Sequence, residues 1–200
     1  PQAPFPYDEI VATSRNRGRH EPEYELIDTG VFADDRYFDI LVEYAKAGPV
    51  DILIEITAHN RGPDPAQLDV LPTLWFRNQW SWNPGVPRPT LRQIGRRPVI
   101  RAADAMLGEF ALACADTPDL VFTENETNMR RLFGAENGSR YVKDAFHSYV
   151  VEGRSDAVNP ERAGTKAAAH YRLTIPARRM QRLRLRLYRL AGPAALAEPD

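Results

Sequence analysis

The alternation of apolar and polar residues with a period of two constrains the fold of this chain more than any other feature. In the first alternating run, one parity holds Phe38, Ile40, Val42 and Tyr44. After a Gly48-Pro49 turn, the pattern returns in residues 50–60 with Ile52, Ile54, Ile56 and Ala58. A period of two is typical of a strand with one face in the core. The two runs and their short connection therefore predict an antiparallel hairpin.

Further β-rich runs follow along the chain. The run at 68–78 continues the alternation, but Pro72 cannot donate a ladder hydrogen bond and so predicts an edge or a bend. In the run at 182–190, leucines alternate with arginines, which favours the polar outer face of an amphipathic strand over an anion-binding strip. A stripe of apolar residues at helical spacing predicts a short helix within 139–151. Other strands are predicted at 99–102, 108–115, 119–123 and 168–175.

Many short strands separated by turns predict a mainly β protein, a large antiparallel β-sandwich with long loops and one or two short helices. The seventeen prolines and twelve glycines provide the turns between those strands. We expect one domain over 1–200, with 1–22 as an extended N-terminal arm. The sequence opens without a methionine and stops just after an Ala/Gly/Pro-rich stretch. We therefore expect a segment excised from a longer protein.

The charge balance argues against several classes of partner. With 26 basic and 27 acidic residues the net charge is −1, which does not favour nucleic acid or an anionic membrane surface. No apolar run approaches the length of a membrane span, roughly 18 residues. The one cysteine, Cys114, is expected to be a small buried hydrophobe. A lone cysteine fits a reducing compartment, so we expect a cytoplasmic protein.

The sequence gives little support to a metal or a cofactor. The four histidines lack the spacing of zinc ligands, so no metal is predicted. A nucleophile elbow, a phosphate-cradling loop and a dinucleotide-binding fingerprint are all missing from the sequence, so no cofactor is predicted either.

Two glutamates, Glu124 and Glu126, form the only carboxylate pair that suggests glycoside hydrolysis. Residues two apart on an extended chain point the same way. A solvated strand end explains the pair equally well, and we find no second acid cluster to complete a site. We therefore favour a structural role for this stretch, with hydrogen bonds made by Asn125, Thr127 and Asn128.

The most unusual stretch is 71–85, which holds all three tryptophans of the chain. Trp80 and Trp82 share a parity and are expected on a loop, whereas Trp75 is expected, with Phe76, to straddle a sheet covered on both faces. Indoles exposed on a loop are costly unless something covers them. Core packing, a sugar platform and a contact with another protein surface all remain open on composition alone.

Several long strings resemble a known family. They are Tyr-Phe-Asp at 37–39, Ile-Thr-Ala-His-Asn-Arg-Gly-Pro at 56–63, Leu-Pro-Thr-Leu-Trp-Phe-Arg-Asn at 71–78, Trp-Ser-Trp at 80–82, Phe-Thr-Glu-Asn-Glu-Thr-Asn at 122–128 and Tyr-Val-Lys-Asp at 141–144. The chain from Phe5 to about Leu190 resembles the N-terminal β-sandwich region of bacterial family 63 glycoside hydrolases, a group that includes glucosidases and mannosyl-oligosaccharide-glucosidase-related proteins.

The resemblance implies a supersandwich-like domain that packs against an (α/α)₆ catalytic domain of the same chain. The family's catalytic carboxylates lie on the helical domain, so no catalytic residue is carried over to this segment. We expect the aromatic stretch to lie at the domain interface or at the mouth of the sugar pocket. In the isolated segment its key residues are expected to be exposed or loosely ordered: Arg77, Asn78, Gln79, Trp80 and Trp82. The alternative is a free-standing carbohydrate-binding module that uses the indoles as its platform.

Overall fold

A computed structural model describes residues 1–83 and 85–190 of the chain. In this part of the chain there are eleven strands, three α-helices and three short 3-10 helices. The strands are β1 (Phe38–Gly48), β2 (Asp51–Asn60), β3 (Ala66–Val70), β4 (Thr73–Trp75), β5 (Thr90–Gln93), β6 (Val99–Asp104), β7 (Gly108–Cys114), β8 (Asp119–Thr123), β9 (Ala163–Gly164), β10 (Lys166–Ile175) and β11 (Met180–Arg189). The α-helices are α1 (Tyr7–Asn16), α2 (Met129–Phe133) and α3 (Ala145–Val151), and the 3-10 helices are Leu26–Thr29, Ala33–Asp35 and Ser155–Ala157.

The strands form two antiparallel sheets, so the mainly β, sandwich-like fold class predicted from the sequence is confirmed. The larger sheet has seven strands in the order β1-β2-β11-β7-β6-β5-β9. The smaller sheet contains β3, β10 and β4, and β8 also pairs with β10. Along β10, Lys166 is opposite Trp75 of β4 on one side and opposite Thr123 of β8 on the other.

Most of the predicted strands are present. Pro72 does interrupt the run at 68–78, which divides into β3 and β4, and its carbonyl accepts a hydrogen bond from Ala169 N–H at 3.1 Å. The helix predicted within 139–151 is confirmed as α3, over the last seven of those residues. The prediction missed β5 and β9 because runs of four and two residues are too short to show a period.

The chain divides into two compact units, where the sequence predicted a single domain. The first contains Pro1–Val42, Ile56–Leu68 and Leu173–Leu183. The second contains Glu43–Glu55, Asp69–Arg172 and the residues from Arg184 onward.

In the first unit, the prediction of an extended arm over 1–22 is wrong, because α1 occupies ten of those residues. No residue of the helix is buried, and its large apolar residues Tyr7, Ile10 and Val11 span little more than one turn, too short a pattern to predict a helix. Acidic residues in its first turn and Arg15 in its last match the helix dipole instead. Asn60 is the main polar anchor of this unit, since its buried amide donates to the carbonyls of Asp64 and Ile175 and accepts from Gln2 Nε2 at 2.6 Å.

In the second unit, β10 is the most buried strand. Five consecutive residues from Ala167 to Tyr171 are buried, so both faces of the strand are covered. One face packs against α3 through a cluster that contains Val121, Phe146 and Ala168. The Tyr171 hydroxyl donates to the carbonyl of Ala115, which follows β7 of the larger sheet. The arginine and leucine alternation of β11 also behaves as predicted, because Leu185 is buried while the outward Arg184 and Arg186 pair with Glu55 and Asp51.

The first predicted strand differs from its pattern. Alternation in β1 indicates one buried face, yet nine consecutive residues of this edge strand are exposed. Ile40, Leu41 and Val42 are among the exposed large hydrophobic residues. An edge strand has a partner on one side only, and within the described part of the chain its faces remain accessible to solvent.

None of the described helices combines the length and the apolar character that a membrane span requires.

Candidate functional site

The part of the aromatic stretch that follows β4, from Phe76 onward, is fixed by backbone and side-chain hydrogen bonds. Phe76 N–H donates to the Thr165 carbonyl at 3.1 Å, which continues the pairing of β4 with β10. Asn78 then closes a turn, because its Oδ1 accepts from Ser81 N–H at 3.1 Å and its Nδ2 donates to Ser81 Oγ at 2.8 Å. The turn carries Trp80 and Trp82 on a loop, as the sequence predicted.

The two glutamates follow β8 on a segment that is held by backbone hydrogen bonds. Glu124 N–H donates to the Tyr141 carbonyl, and Lys143 N–H donates to the Glu126 carbonyl, each at 2.9 Å. The backbone bends at Asn125 between the two glutamates, and both carboxylates reach the same arginine, Arg88. Asn125 N–H donates to Thr165 Oγ1 at 2.8 Å, which attaches the segment to the residue between β9 and β10.

The loop and the glutamate segment meet at one guanidinium group. Arg88 Nη2 lies 2.7 Å from Glu124 Oε2 and 3.1 Å from Glu126 Oε1. Trp80 Nε1 donates to the same Oε1 of Glu126 at 3.0 Å, and the Arg88 guanidinium lies 5.8 Å from the centroid of the Trp80 ring. Thr165 Oγ1 donates to Glu124 Oε2 at 2.7 Å. We call Trp80, Arg88, Glu124, Glu126 and Thr165 the Trp80 cluster.

Two asparagines join the loop to the glutamate segment a second time. Asn125 Nδ2 donates to the Phe76 carbonyl at 2.8 Å, and Asn78 Nδ2 donates to the Asn125 carbonyl at 3.1 Å. The loop therefore rests on a base that is hydrogen-bonded through side chains and backbone together. Such a base orders the loop before any ligand or partner arrives.

The contacts of the Trp80 cluster are suited to holding the loop in place. The side chains of Glu124 and Glu126 are only 18% and 16% exposed, so their charges need a nearby cation. Arg88 supplies that cation to both, and each glutamate also accepts a hydrogen bond from a neutral donor, Thr165 or Trp80.

The structural role predicted for the neighbouring polar residues is confirmed. Asn125 makes the bonds described above, and Asn128 caps α2 by accepting from Arg131 N–H at 3.1 Å. Thr127 accepts from Lys143 Nζ at 3.2 Å. The polar composition of 122–128 is therefore used to fasten loops to one another.

The five residues predicted for the site separate into two groups. Asn78 and Trp80 are half-buried and hydrogen-bonded, so the expectation that they are exposed or loosely ordered is wrong. Arg77, Gln79 and Trp82 are exposed, and Trp82 has 69% of its surface accessible. Trp75 is 55% exposed, so the covered sheet expected around it is also not observed in the described residues. The indole of Trp80 is thus an internal anchor, and those of Trp75 and Trp82 face solvent.

Sequence reasoning missed Arg88, Gly164 and Thr165. Arg88 lies between two prolines and outside any alternating run, and its glutamate partners are far along the chain. Gly164 allows a close backbone approach, because a Cβ atom there would lie 2.2 Å from the Thr123 carbonyl oxygen. That approach brings Thr165 N–H to within 3.1 Å of the same oxygen. A buried threonine and a glycine have no local pattern that distinguishes them from turn residues.

A cavity of about 280 Å³ adjoins the cluster and shares Arg88, Glu124 and Thr165 with it. Its remaining lining comes mainly from β5 and from residues 159–164. This volume is at the lower end of the range for small-molecule pockets, roughly 300 to 1,000 Å³. In the described ranges, His, Cys, Asp and Glu side chains do not assemble in threes or more at a place that could hold a metal ion.

We predict that Arg88→Gln lowers the free energy of unfolding by about 1 to 2 kcal/mol, since it leaves two largely buried carboxylates without their shared cation. Trp80 loses the cation near its ring, so its fluorescence emission is expected to change. Urea unfolding followed by tryptophan emission measures both effects.

The matched control is Arg172→Gln, because Arg172 pairs with Asp119 where both side chains are more than half exposed. An exposed pair of this kind contributes about 0 to 1 kcal/mol. Equal losses for the two variants would mean that the Trp80 cluster is no more than a surface ion pair.

Comparisons with known proteins place the chain beside one much longer relative. No protein-family model matches the chain. The sequence is similar to the uncharacterized protein YMR196W of Saccharomyces cerevisiae (strain ATCC 204508 / S288c), with 34% identity over 202 residues. The matched region covers 84% of this chain and 18% of the yeast protein. The chain therefore spans less than a fifth of the curated relative it matches.

Proposed function

We propose that this chain is a non-catalytic β-sandwich part of a family 63 glycoside hydrolase-like protein, which braces an (α/α)₆ catalytic domain and contributes to the wall of its sugar pocket. The observation that carries the proposal is Trp82, which is 69% exposed on a loop whose base is held by the Trp80 cluster. An ordered loop that presents an indole to solvent is suited to contact with something outside the described residues.

The surroundings of Trp82 support a contact with protein and sugar. Arg77 and Gln79 are exposed on the same loop, and Trp75 is exposed at the end of β4. Aromatic and arginine side chains are enriched at the centres of protein interfaces, and indoles also stack on the apolar faces of sugar rings. The exposed apolar residues of β1 are a further surface that an additional domain would cover.

The carboxylates support a bracing role for this segment. In the proposed parent enzyme, the general acid and base belong to the helical domain, as in an inverting glycosidase. Glu124 and Glu126 both pair with Arg88, and each accepts a hydrogen bond from a neutral donor, so their carboxylates join the loop to neighbouring parts of the segment. The similarity to a much longer yeast protein is what a single part of a larger polypeptide would give. Cys114, the one cysteine, supports a cytoplasmic location.

The decisive experiment compares this segment with the longest natural polypeptide that contains it. We expect helix-patterned sequence for several hundred residues beyond Asp200 and turnover of an aryl glucoside by the long protein alone. Amide hydrogen exchange at 77–83 is expected to slow in the long protein, since the catalytic domain covers the loop. A natural polypeptide that ends near residue 200, or a loop that exchanges equally fast in both proteins, would refute the proposal.

The exposed indoles favour one alternative, a carbohydrate-binding module that acts alone. This alternative predicts measurable affinity of the 200-residue chain for glucosides or mannosides by calorimetry. Trp82→Ala is then expected to weaken binding by about tenfold or more, as loss of an aromatic anchor does.

Phe133→Ala is the matched control for Trp82→Ala, because Phe133 is also 69% exposed but lies on α2. Binding that survives Trp82→Ala, or falls equally in both variants, would remove the indole platform as an explanation. Failure to bind any tested sugar would leave the bracing role as the better interpretation.

A further inference from the structure

A second cavity, lined by none of the five residues of the Trp80 cluster, lies between α2 and α3 and the loops that flank them. It has a volume of about 530 Å³. Its lining is rich in cationic and hydrogen-bonding side chains, while Val142 and Ala145 form a buried floor. The cations are Arg130, Arg131, Arg140 and Arg154, accompanied by His147.

Within the described residues, these arginines are only partly neutralised. Arg131 lies 3.1 Å from Asp144, whereas Arg140 and Arg154 share one carboxylate, Asp156, at 3.6 and 3.4 Å. The guanidinium of Arg130 makes no ion pair with any residue in 1–83 or 85–190. The only other acid in the lining is Glu152, so the four arginines outnumber the carboxylates around them.

Part of the rim of the cavity is ordered by hydrogen bonds of backbone and asparagine groups, which leave the guanidinium of Arg130 free to bind an anion. Arg130 N–H donates to Asn137 Oδ1 at 3.0 Å, and Asn137 Nδ2 donates to Asn128 Oδ1 at 3.2 Å. The guanidinium of Arg140 lies 5.6 Å from the ring centroid of Tyr141. The backbone of Arg130 is therefore fixed by the fold before any anion binds.

We propose that this cavity binds the phosphate monoester group of a small organic molecule. A phosphate monoester carries about −1.5 to −2 charges at neutral pH and offers three acceptor oxygens. Arginine binds such groups through paired hydrogen bonds. A dianion competes better than a single carboxylate for arginines that already share Asp156. The cavity falls within the usual size range of ligand pockets, roughly 300 to 1,000 Å³, and is larger than inorganic phosphate needs, so it has room for an organic group.

This inference does not rest on the proposed glycosidase role, because the cavity shares no residue with the Trp80 cluster. Calorimetry on the 200-residue chain at about 50 mM salt tests it with glucose 6-phosphate, inorganic phosphate and glucose as probes. We expect glucose 6-phosphate to bind more tightly than inorganic phosphate, and glucose to give no heat. Arg130→Gln and Arg140→Gln are each expected to weaken binding by about fivefold or more, since each removes a charge-assisted hydrogen bond.

The control variant is Arg172→Gln, which removes an exposed arginine that lies outside the cavity. Its affinity for glucose 6-phosphate is expected to equal that of the unmodified chain. Circular dichroism and the urea midpoint show whether each variant is folded. The proposal is overturned by an absence of saturable binding up to about 10 mM ligand, by equal losses in all three variants, or by an acidic peptide that binds more tightly than glucose 6-phosphate.

Discussion

Gly164→Ala is expected to destabilise the protein by about 2 to 4 kcal/mol, because a methyl group at this position has no space. The ideal Cβ would lie 2.2 Å from the Thr123 carbonyl oxygen and 2.9 Å from its carbon, and both of these are backbone atoms. They cannot move away as a flexible side chain would. Relief therefore requires β9 to separate from β8.

Separation of β9 from β8 is also expected to disturb the Trp80 cluster through Thr165. Thr165 N–H donates to the same Thr123 oxygen, and Thr165 Oγ1 bridges Asn125 N–H and Glu124 Oε2. We therefore expect Gly164→Ala to lower the urea midpoint and to change the fluorescence of the folded state. The second effect arises because Trp80 is held by the neighbouring Glu126.

Gly48→Ala is the matched control, since a Cβ there would lie 3.8 Å from the Cβ of Asp51, at an ordinary contact distance. Its expected effect on the free energy of unfolding is within about 1 kcal/mol. If Gly164→Ala is as stable as Gly48→Ala, the close approach of β9 to β8 is not a feature of the folded protein.

The second large effect is a loss of stability at alkaline pH. Burial raises the pKa of Cys114 from 9.0 to about 12, an effect that a hydrogen bond with Tyr171 partly offsets. Burial also raises the pKa of Tyr171 above its usual value, and the nearby Cys114 and Asp116 add to that rise. The expectation from sequence that Cys114 is a buried small hydrophobe is confirmed.

The sign of the effect follows from proton counting. Above pH 9 the unfolded chain releases the Cys114 proton while the folded chain retains it, so unfolding becomes more favourable as pH rises. Each such group lowers the free energy of unfolding by about 1.4 kcal/mol per pH unit between its two pKa values. We expect a total loss of about 2 to 4 kcal/mol between pH 9 and pH 11. Lys166, whose pKa burial lowers, opposes the trend as a single half-buried group.

Urea unfolding at several pH values between 8 and 11 measures this slope, with Cys114→Ala and Tyr171→Phe as the variants that isolate its sources. Each variant is expected to have a shallower alkaline slope than the unmodified chain, whatever its stability at pH 8. Tyr44→Phe is the control, because Tyr44 is 70% exposed on β1. A slope that is unchanged in both buried-site variants would assign the alkaline loss to other groups.

The sequence predicted those parts of the fold that depend on local pattern. Alternation located β2 and β11, short β-rich runs located β7 and β8, and the inability of Pro72 to donate a ladder hydrogen bond located the interruption between β3 and β4. The sequence did not predict α1, whose large apolar residues Tyr7, Ile10 and Val11 span little more than one turn, too short a pattern to separate a helix from an irregular arm. It also did not predict that β1 is exposed on both faces, since alternation describes which residues share a face and not whether that face is covered.

For the candidate site, the sequence pointed to the tryptophan stretch and the glutamate pair but did not predict that they are in contact. The two features lie about 40 residues apart in the chain, and no local pattern connects them. The structure joins them through Arg88, which touches Glu124, Glu126 and the face of Trp80. Of the five predicted site residues, Asn78 and Trp80 are half-buried in the structure, whereas Trp82 is exposed.

By itself, the sequence determined the β-rich class, the strand runs with a clear period and the polar nature of the loops, because each of these depends on the order of neighbouring residues. Only the tertiary structure decided which charged groups meet, which indole is an anchor and where four arginines surround a cavity. Those contacts join residues far apart in the chain, and their free energies depend on burial and distance, which arise only when strands and loops have been brought together.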